Sequence, residues 1–200
     1  MSDIASKPIK LHFVRHIRVD GNGYVYGPTV DFNKANRHDL QECADQLPSP
    51  DQSLWFSSDF PRAAHTAMEL LILKQAMNRP TLRMMPSMRE HSLKPFEGYR
   101  WEDLWADEEL KPWFSDPWTV RPDYKGIEGG ETLEAFEARI ADGITKVIDA
   151  MTIDKNGKRE AVIVCHGGVL QMARYLAGRT TRETYLEPYP EYLEVLTLEI

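Results

Sequence analysis

The chain has 200 residues, which is enough for a single domain with a sizeable core, and we expect one domain over residues 1–200. Its formal net charge of −7 argues against broad binding to nucleic acid or to an anionic membrane, because both need a basic face. A phosphorylated substrate stays compatible with this charge, since a few arginines can form a positive pocket on an acidic protein.

The cysteine content and the N-terminal region limit the protein class further. Only two cysteines occur, Cys43 and Cys165, so the sequence predicts neither a disulfide framework nor a cysteine-rich metal site. Residues 1–10 lack the apolar core of a signal peptide, and no apolar run is long enough to span a membrane. We therefore expect a cytoplasmic protein.

Predicted strands and helices alternate along the chain. The strands are Ile9–Val14, Ser53–Ser57, Thr81–Met85, Ala161–Cys165 and Glu191–Leu198, and the helices are Ala35–Gln46, Pro61–Met77, Thr132–Met151 and Gly168–Leu176. This alternation predicts an α/β fold, a three-layer α/β/α sandwich with a mostly parallel central sheet. The pattern leaves open whether the last strand lies at an edge or inside the sheet. Ligands of such folds bind at the carboxyl ends of the strands.

Residues 94–130 form a long stretch with several prolines and four tryptophans. This stretch is too apolar for a linker and too broken for one regular element. We expect a lid-like insertion with short helices. The tryptophans are expected to pack under the lid, while an apolar part of the substrate site is expected to be lined by Tyr24, Tyr26 and Trp101.

Polar side chains and glycines follow four of the predicted strands. In chain order they are Arg15 and His16, Arg62, Glu90, and His166 with Gly167 and Gly168. If the sheet is parallel, these groups converge at one edge. The two glycines open a helix and let main-chain N–H groups approach an anion there.

These residue types fit phosphoryl transfer. A neutral imidazole can attack phosphorus in line, and arginines with a second, protonated histidine can neutralise the equatorial oxygens. A carboxylic acid can protonate the departing alkoxide if burial or the nearby phosphate raises its pKa. Because side chains supply the cations, this scheme needs no metal and no other cofactor.

Six short motifs occur in the order seen in the histidine phosphatase superfamily, the group that resembles cofactor-dependent phosphoglycerate mutase. They are Val14-Arg15-His16, residues 57–67, Met88-Arg89-Glu90, Phe96-Glu97-Gly98, Gly129-Gly130-Glu131-Thr132 and His166-Gly167-Gly168. Together they extend over nearly the whole chain. The resemblance implies His16 as a nucleophile that becomes phosphohistidine and Glu90 as the proton donor. It also implies a phosphate clamp of Arg15, Arg62 and His166, with the main chain of Gly167 on the phosphate.

The sequence departs from the family pattern beside the nucleophile. Glycine, an acidic or amide residue, and threonine or serine usually follow the catalytic histidine, whereas here Ile17-Arg18-Val19 follows it. The change removes a hydroxyl and adds bulk, and whether it lowers or redirects activity is open at this point. Asn22 is a candidate substitute for that hydroxyl. Glu97 competes with Glu90 for the role of proton donor.

Two aromatic motifs resemble those of alpha-ribazole phosphatase-like members. They are Gly23-Tyr24-Val25-Tyr26-Gly27 and Trp101-Glu102-Asp103-Leu104. The resemblance implies a metal-independent phosphoric monoester hydrolase that acts on a small phosphorylated metabolite, with alpha-ribazole phosphate as one candidate. The alternatives are a phosphoglycerate-type mutase and a non-catalytic relative that binds phosphate esters. Neither nucleic acid nor a membrane is an expected partner, and a homodimer is left open.

Overall fold

A computed structural model describes residues 8–20, 23–31, 39–74, 81–154 and 156–200. Within these ranges the strands are Lys10–Arg15 (β1), Ser53–Ser57 (β2), Leu82–Met84 (β3), Glu160–Cys165 (β4) and Val195–Glu199 (β5). The α-helices are Leu40–Gln46 (α1), Pro61–Leu73 (α2), Trp101–Trp105 (α3), Lys111–Ser115 (α4), Leu133–Thr152 (α5) and Gly167–Leu176 (α6). The predicted start of the first helix, at Ala35, lies outside the described residues.

The strands form one sheet in the order β3-β2-β4-β1-β5. All neighbouring pairs are parallel except β1 with β5, which is antiparallel. The mostly parallel sheet is therefore confirmed, and the last strand lies at an edge. In the central pair Arg15 stands opposite Cys165, so β1 and β4 end side by side. The residues that follow these two strands consequently emerge next to each other.

The last strand is shorter than predicted, because it begins at Val195 and not at Glu191. The Glu194 N–H donates to the Glu191 carbonyl at 3.2 Å, and Leu193 has a φ of 61°. That φ belongs to a turn, because a strand needs negative φ values. Residues 191–194 therefore form a turn that brings the chain across the end of β1.

A separate hydrophobic core lies on each face of the sheet, and this confirms the three-layer sandwich. On one face Phe13 and Ile163 pack into a cluster that includes Phe136 and Ile140 of α5. On the other face Val14, Val162 and Val164 pack into a cluster with residues of α1 and α2. A strand that is covered on both faces needs apolar side chains at nearly every position, which explains the mostly apolar sequences of β1 and β4.

The segment 94–130 contributes its own apolar cluster around Phe96, Leu104, Leu110 and Trp113. The expectation that the tryptophans pack beneath a lid is only partly right, because the side chain of Trp105 is 67% exposed. The role of this segment as a lid stays a prediction. In the described ranges no helix combines the length and apolar character needed to cross a membrane, and the cytoplasmic location also stays a prediction.

Candidate active site

The two central strands place a pair of buried histidines at the carboxyl edge of the sheet. His16 follows β1 directly, and its N–H donates to the Cys165 carbonyl at the end of β4 at 2.9 Å. His166 follows β4 and immediately precedes α6. The two imidazole rings meet edge to face with their centroids 5.2 Å apart. Both side chains are buried, so their chemistry is set by close neighbours more than by bulk water.

The environment of His16 prepares one ring nitrogen as a nucleophile. Its Nδ1 lies 2.7 Å from the carbonyl oxygen of Ile17, which can only accept a hydrogen bond. We therefore assign the proton to Nδ1, which leaves the lone pair on Nε2. Burial, together with the positive charges of Arg62 and Arg15, holds the pKa of His16 well below its ordinary value of 6.5. The imidazole is consequently neutral at neutral pH.

Ile17 has a structural role and does not crowd the nucleophile. Its side chain is buried in the cluster shared with α1 and α2. Its N–H donates to the hydroxyl of Thr66 at 3.2 Å, and that hydroxyl donates to the Arg62 carbonyl at 2.6 Å. The expectation of added bulk beside His16 is therefore wrong for Ile17, which points into the core, whereas Arg18 lines the cavity. The contact with Thr66 fastens the chain after His16 to α2.

Two arginines lie beside His16. Arg62, in the first turn of α2, donates to the Gly27 carbonyl at 3.0 Å. Arg15 donates to the Pro190 carbonyl, and its guanidinium carbon lies 3.7 Å from the ring centroid of Tyr192. Both Nε atoms are buried and lack a hydrogen-bond partner among the described residues. Because buried polar atoms are nearly always hydrogen-bonded, these two donors indicate a site for an external acceptor.

His166 adds a third buried polar atom of this kind. Its Nε2 lies 2.9 Å from the hydroxyl of Ser58, while its Nδ1 has no partner in the part of the chain that the structure describes. Burial and the adjacent His16, Arg62 and Arg15 hold the pKa of His166 well below its ordinary value. In the free protein, burial and repulsion by these cations favour the neutral ring, and the protonated His166 expected during phosphoryl transfer stays a prediction. A bound phosphate dianion would oppose that repulsion.

Glu90 lies at the beginning of α6. Its carboxylate accepts hydrogen bonds from the N–H groups of His91 at 2.9 Å and Gly168 at 3.3 Å. A Cβ at position 168 would overlap the carboxylate, which explains the glycine there. The competing Glu97 is exposed and lies beside Gly27, on the wall of the same cavity. Of these two carboxylates, Glu90 is the one that accepts a hydrogen bond from α6 among the described residues.

Arg139 of α5 holds the segment that carries Glu90. Its guanidinium donates to the main-chain oxygens of Ser87 at 2.8 Å, Arg89 at 2.9 Å and Glu90 at 3.2 Å. It also forms a bidentate ion pair with Glu131, at 2.9 and 2.7 Å. This network gives a structural reason for the acidic residue of the Gly-Gly-Glu-Thr motif. The sequence analysis missed Arg139, because nothing in its local pattern distinguishes it from other arginines on a helix.

Replacing Gly168 with alanine is expected to lower kcat by about 10- to 100-fold with little change in the free energy of unfolding. The added methyl group would push the Glu90 carboxylate aside, and the end of a glutamate side chain can rotate away at low cost. Steady-state kinetics and urea unfolding would measure the two effects. In a Glu90→Gln background the same substitution should add little. Wild-type kcat in Gly168→Ala would contradict this placement of Glu90.

One open cavity of about 1490 Å³ is lined by His16, Arg15, Arg62, Glu90, Glu97 and Arg139. Tyr24, Tyr26 and Trp101 also line it, in agreement with the sequence-based expectation. The structure adds Tyr189 and Tyr192, which the sequence analysis missed. A Cβ on Gly167 would lie 2.5 Å from the Tyr189 hydroxyl, so this tyrosine packs against the start of α6. The signal in the sequence is the run of tyrosines and prolines just before the last strand. Asn22 lies outside the described residues.

Acid is expected to destabilise the folded protein as the pH falls below about 6.5. Burial lowers the pKa of four histidines below the ordinary value of 6.5, so the unfolded chain binds more protons than the folded chain in that range. The midpoint of urea unfolding should therefore be lower at about pH 5.5 than at about pH 7.5. A midpoint that does not move over this range would contradict the assignment of neutral buried histidines.

The fold and the site together are those of an α/β enzyme of phosphoryl transfer. A family model described as the histidine phosphatase superfamily (branch 1) matches residues 11–200. The chain therefore belongs to this superfamily, and the predicted resemblance is confirmed. Membership supports a phosphatase or mutase-like activity on phosphoric monoesters.

Solved structures with the same fold cover most of the chain at low sequence identity. A structure named mycobacterial hydrolase 1 has a TM-score of 0.77, 21% identity, and coverage of 96% of this chain and 91% of its own. An Escherichia coli protein provisionally assigned as an alpha-ribazole-5′-P phosphatase has a TM-score of 0.76 and 20% identity, with coverage of 96% of this chain and 90% of its own. A mycobacterial glucosyl-3-phosphoglycerate phosphatase has a TM-score of 0.74 and 20% identity, with coverage of 94% of this chain and 89% of its own. A search of curated proteins found no match.

Proposed function

We propose that this protein is a metal-independent phosphomonoesterase that acts through a phosphohistidine on His16. The observation that carries the proposal is the state of His16, which is buried and neutral with its Nδ1 proton held by the Ile17 carbonyl. Its Nε2, which keeps the lone pair, is accompanied by the Nε atoms of Arg15 and Arg62, which have no hydrogen-bond partner among the described residues and suit a phosphoryl group.

Substrate binding would use the buried donors that have no partner in the described part of the chain. Arg15, Arg62 and His166 would contact the phosphoryl oxygens and replace the water that surrounds a free phosphate. The main-chain N–H of Gly167 would add a contact at the positive end of the α6 dipole. Charge spreads over the equatorial oxygens in the transition state, so the same cations would stabilise it.

In the first step the lone pair on Nε2 of His16 forms a bond to phosphorus, and the bond from phosphorus to the alcohol oxygen breaks. Glu90, in its protonated form, gives its proton to the departing oxygen. We propose Glu90 for this role over Glu97 because the Glu90 carboxylate is hydrogen-bonded at the start of α6, close to the histidine pair.

In the second step water attacks the phosphohistidine. The Glu90 carboxylate takes a proton from this water as its oxygen bonds to phosphorus. The nitrogen–phosphorus bond breaks, its electron pair returns to Nε2 of His16, and inorganic phosphate is released. The cavity is open to solvent, which suits hydrolysis better than a mutase that must protect its phosphohistidine from water.

We propose a small phosphorylated metabolite as the substrate, with alpha-ribazole phosphate as one candidate. Support comes from the aromatic residues of the cavity and from the fold shared with the Escherichia coli protein of that provisional assignment. A phosphoglycerate-type mutase and a binding protein without turnover are the alternatives that the experiment must separate.

Hydrolysis of p-nitrophenyl phosphate in the presence of EDTA tests the proposed function. We expect phosphate release from acidic to neutral pH, because side chains supply every cation in the scheme. Loss of activity with EDTA and its return with a divalent ion would contradict the metal-free mechanism. Transfer of phosphate between the hydroxyls of phosphoglycerate, without release, would show a mutase. Binding of the ester without turnover would show a non-catalytic relative.

A further inference from the structure

The exposed aromatic side chains of the described ranges are concentrated in the cavity that contains His16. Among the large hydrophobic side chains that are exposed in the described ranges, five line this cavity: Tyr24, Trp105, Phe114, Leu186 and Tyr189. Single exposed apolar residues are normal on a protein surface, whereas a group that shares one concave site marks a surface that binds something. The cavity is continuous with the proposed phosphoryl site, so its occupant is the rest of the substrate.

Three aromatic residues form one wall of the cavity, and we call Tyr24, Trp101 and Trp105 the aromatic wall. The indole rings of Trp101 and Trp105 stack with centroids 6.1 Å apart and planes 28° apart. The side chain of Trp105 is 67% exposed although it lines the cavity. A broad, flat ring surface that faces a cavity is suited to stacking against a planar group of a ligand.

The main chain holds the aromatic wall in place. The N–H of Trp101 donates to the carbonyl of Gly23 at 2.9 Å, and the N–H of Val25 donates to the carbonyl of Tyr99 at 3.0 Å. These bonds join the segment before Tyr24 and the segment after it to the chain that begins α3. The wall is therefore formed before any ligand binds, which lowers the entropic cost of binding.

The charges near the wall do not favour a second anionic group. Three arginines that line the cavity are already paired with carboxylates: Arg89 with Asp59 at 2.5 Å, Arg100 with Glu102 at 2.8 Å and Arg139 with Glu131 at 2.7 Å. The carboxylate of Glu97 also lines the cavity. Two further cations line the cavity, Arg18 beside Tyr192 and Lys94 beside Gly129. At the wall itself Arg100 lies 5.8 Å from the Tyr24 ring centroid and is already paired with Glu102, so an uncharged ring fits the wall better than a second anion.

From these observations we infer that the leaving group of the substrate is a bulky alcohol with a planar, uncharged ring system, which stacks on the aromatic wall. The inference rests on the proposed function, because it assumes that the phosphoryl group binds at His16. It narrows the substrate class to monophosphate esters of ring-bearing alcohols. Small esters without such a ring are then poorer substrates.

Two esters with matched reactivity test this inference. Both 2-(1-naphthyl)ethyl phosphate and n-propyl phosphate release a primary alcohol, so the chemical step differs little between them. We expect kcat/KM to be at least about tenfold higher for the naphthyl ester. Trp105→Ala should lower kcat/KM for the naphthyl ester and thereby remove most of this preference. Ile72→Ala, at an equally exposed position outside the cavity, is the matched control and should change neither value.

The affinities of the His16→Ala variant for both esters are measured in parallel. They report the preference for the naphthyl ester even if no ester is hydrolysed. Equal kcat/KM values and equal affinities for the two esters would overturn the inference and leave the proposed function standing. A naphthyl preference that survives Trp105→Ala would also overturn it. Selective binding of the naphthyl ester without hydrolysis in the wild type would support the inference and contradict the proposed function.

Discussion

Replacing His16 with alanine is expected to abolish turnover, with kcat lower by at least about 10⁴-fold. The variant lacks the Nε2 lone pair that forms the bond to phosphorus. The phosphate clamp of Arg15 and Arg62 is retained, so the variant should still bind phosphate esters. Steady-state hydrolysis of p-nitrophenyl phosphate and ester binding by calorimetry would measure the two properties.

His65→Ala is the matched control for this experiment. His65 belongs to α2 and lies three residues after Arg62. Its Nδ1 is hydrogen-bonded to the Asp31 carboxylate at 2.7 Å, and its side chain does not line the cavity. We expect this variant to retain wild-type kcat. Substantial activity in His16→Ala, in a protein that is folded and binds phosphate esters, would remove His16 from the mechanism.

Replacing Glu90 with glutamine is expected to lower kcat for alkyl phosphates by about 10²- to 10⁴-fold. An amide keeps the shape of the side chain but cannot give a proton to the departing alkoxide. The loss of kcat/KM, which reports the first step, should be much smaller for p-nitrophenyl phosphate, because nitrophenolate leaves readily without a proton. Comparison of kcat/KM for n-propyl phosphate and p-nitrophenyl phosphate in the variant would measure this dependence on the leaving group.

Glu97→Gln separates the two candidate proton donors. Glu97 lines the same cavity and carries the same functional group, so it is a matched control. We expect near wild-type kcat for both esters in this variant. If Glu97→Gln shows the loss that depends on the leaving group and Glu90→Gln does not, the donor role belongs to Glu97.

The central part of the fold was predictable because it depends on local patterns. The runs Lys10–Arg15 and Glu160–Cys165 are buried strands, and parallel strands in the middle of a sheet must be apolar on both faces. Their carboxyl ends share one edge, so the convergence of His16 and His166 followed from the sequence once the sheet was taken as parallel. Arg62 was found because it begins a helix directly after another strand of the same sheet.

The partners of these residues were not predictable, because they come from distant parts of the chain. The Pro190 carbonyl and the Tyr192 ring contact Arg15 from 175 or more residues away, and Arg139 reaches the main chain of Glu90 from another helix. No local periodicity encodes such contacts. The neutral state of His166 was also missed, since it depends on burial beside three other basic groups.

Trapping the phosphoenzyme tests the central claim most directly. The wild-type protein is mixed rapidly with excess p-nitrophenyl phosphate and quenched in alkali, where phosphohistidine persists, and the phosphorylated residue is then located by mass spectrometry of peptides. We predict a phosphoryl group on His16 in the wild type and none in His16→Ala. A phosphoryl group on a different residue, or rapid turnover with no phosphoenzyme at any time of quenching, would contradict the mechanism.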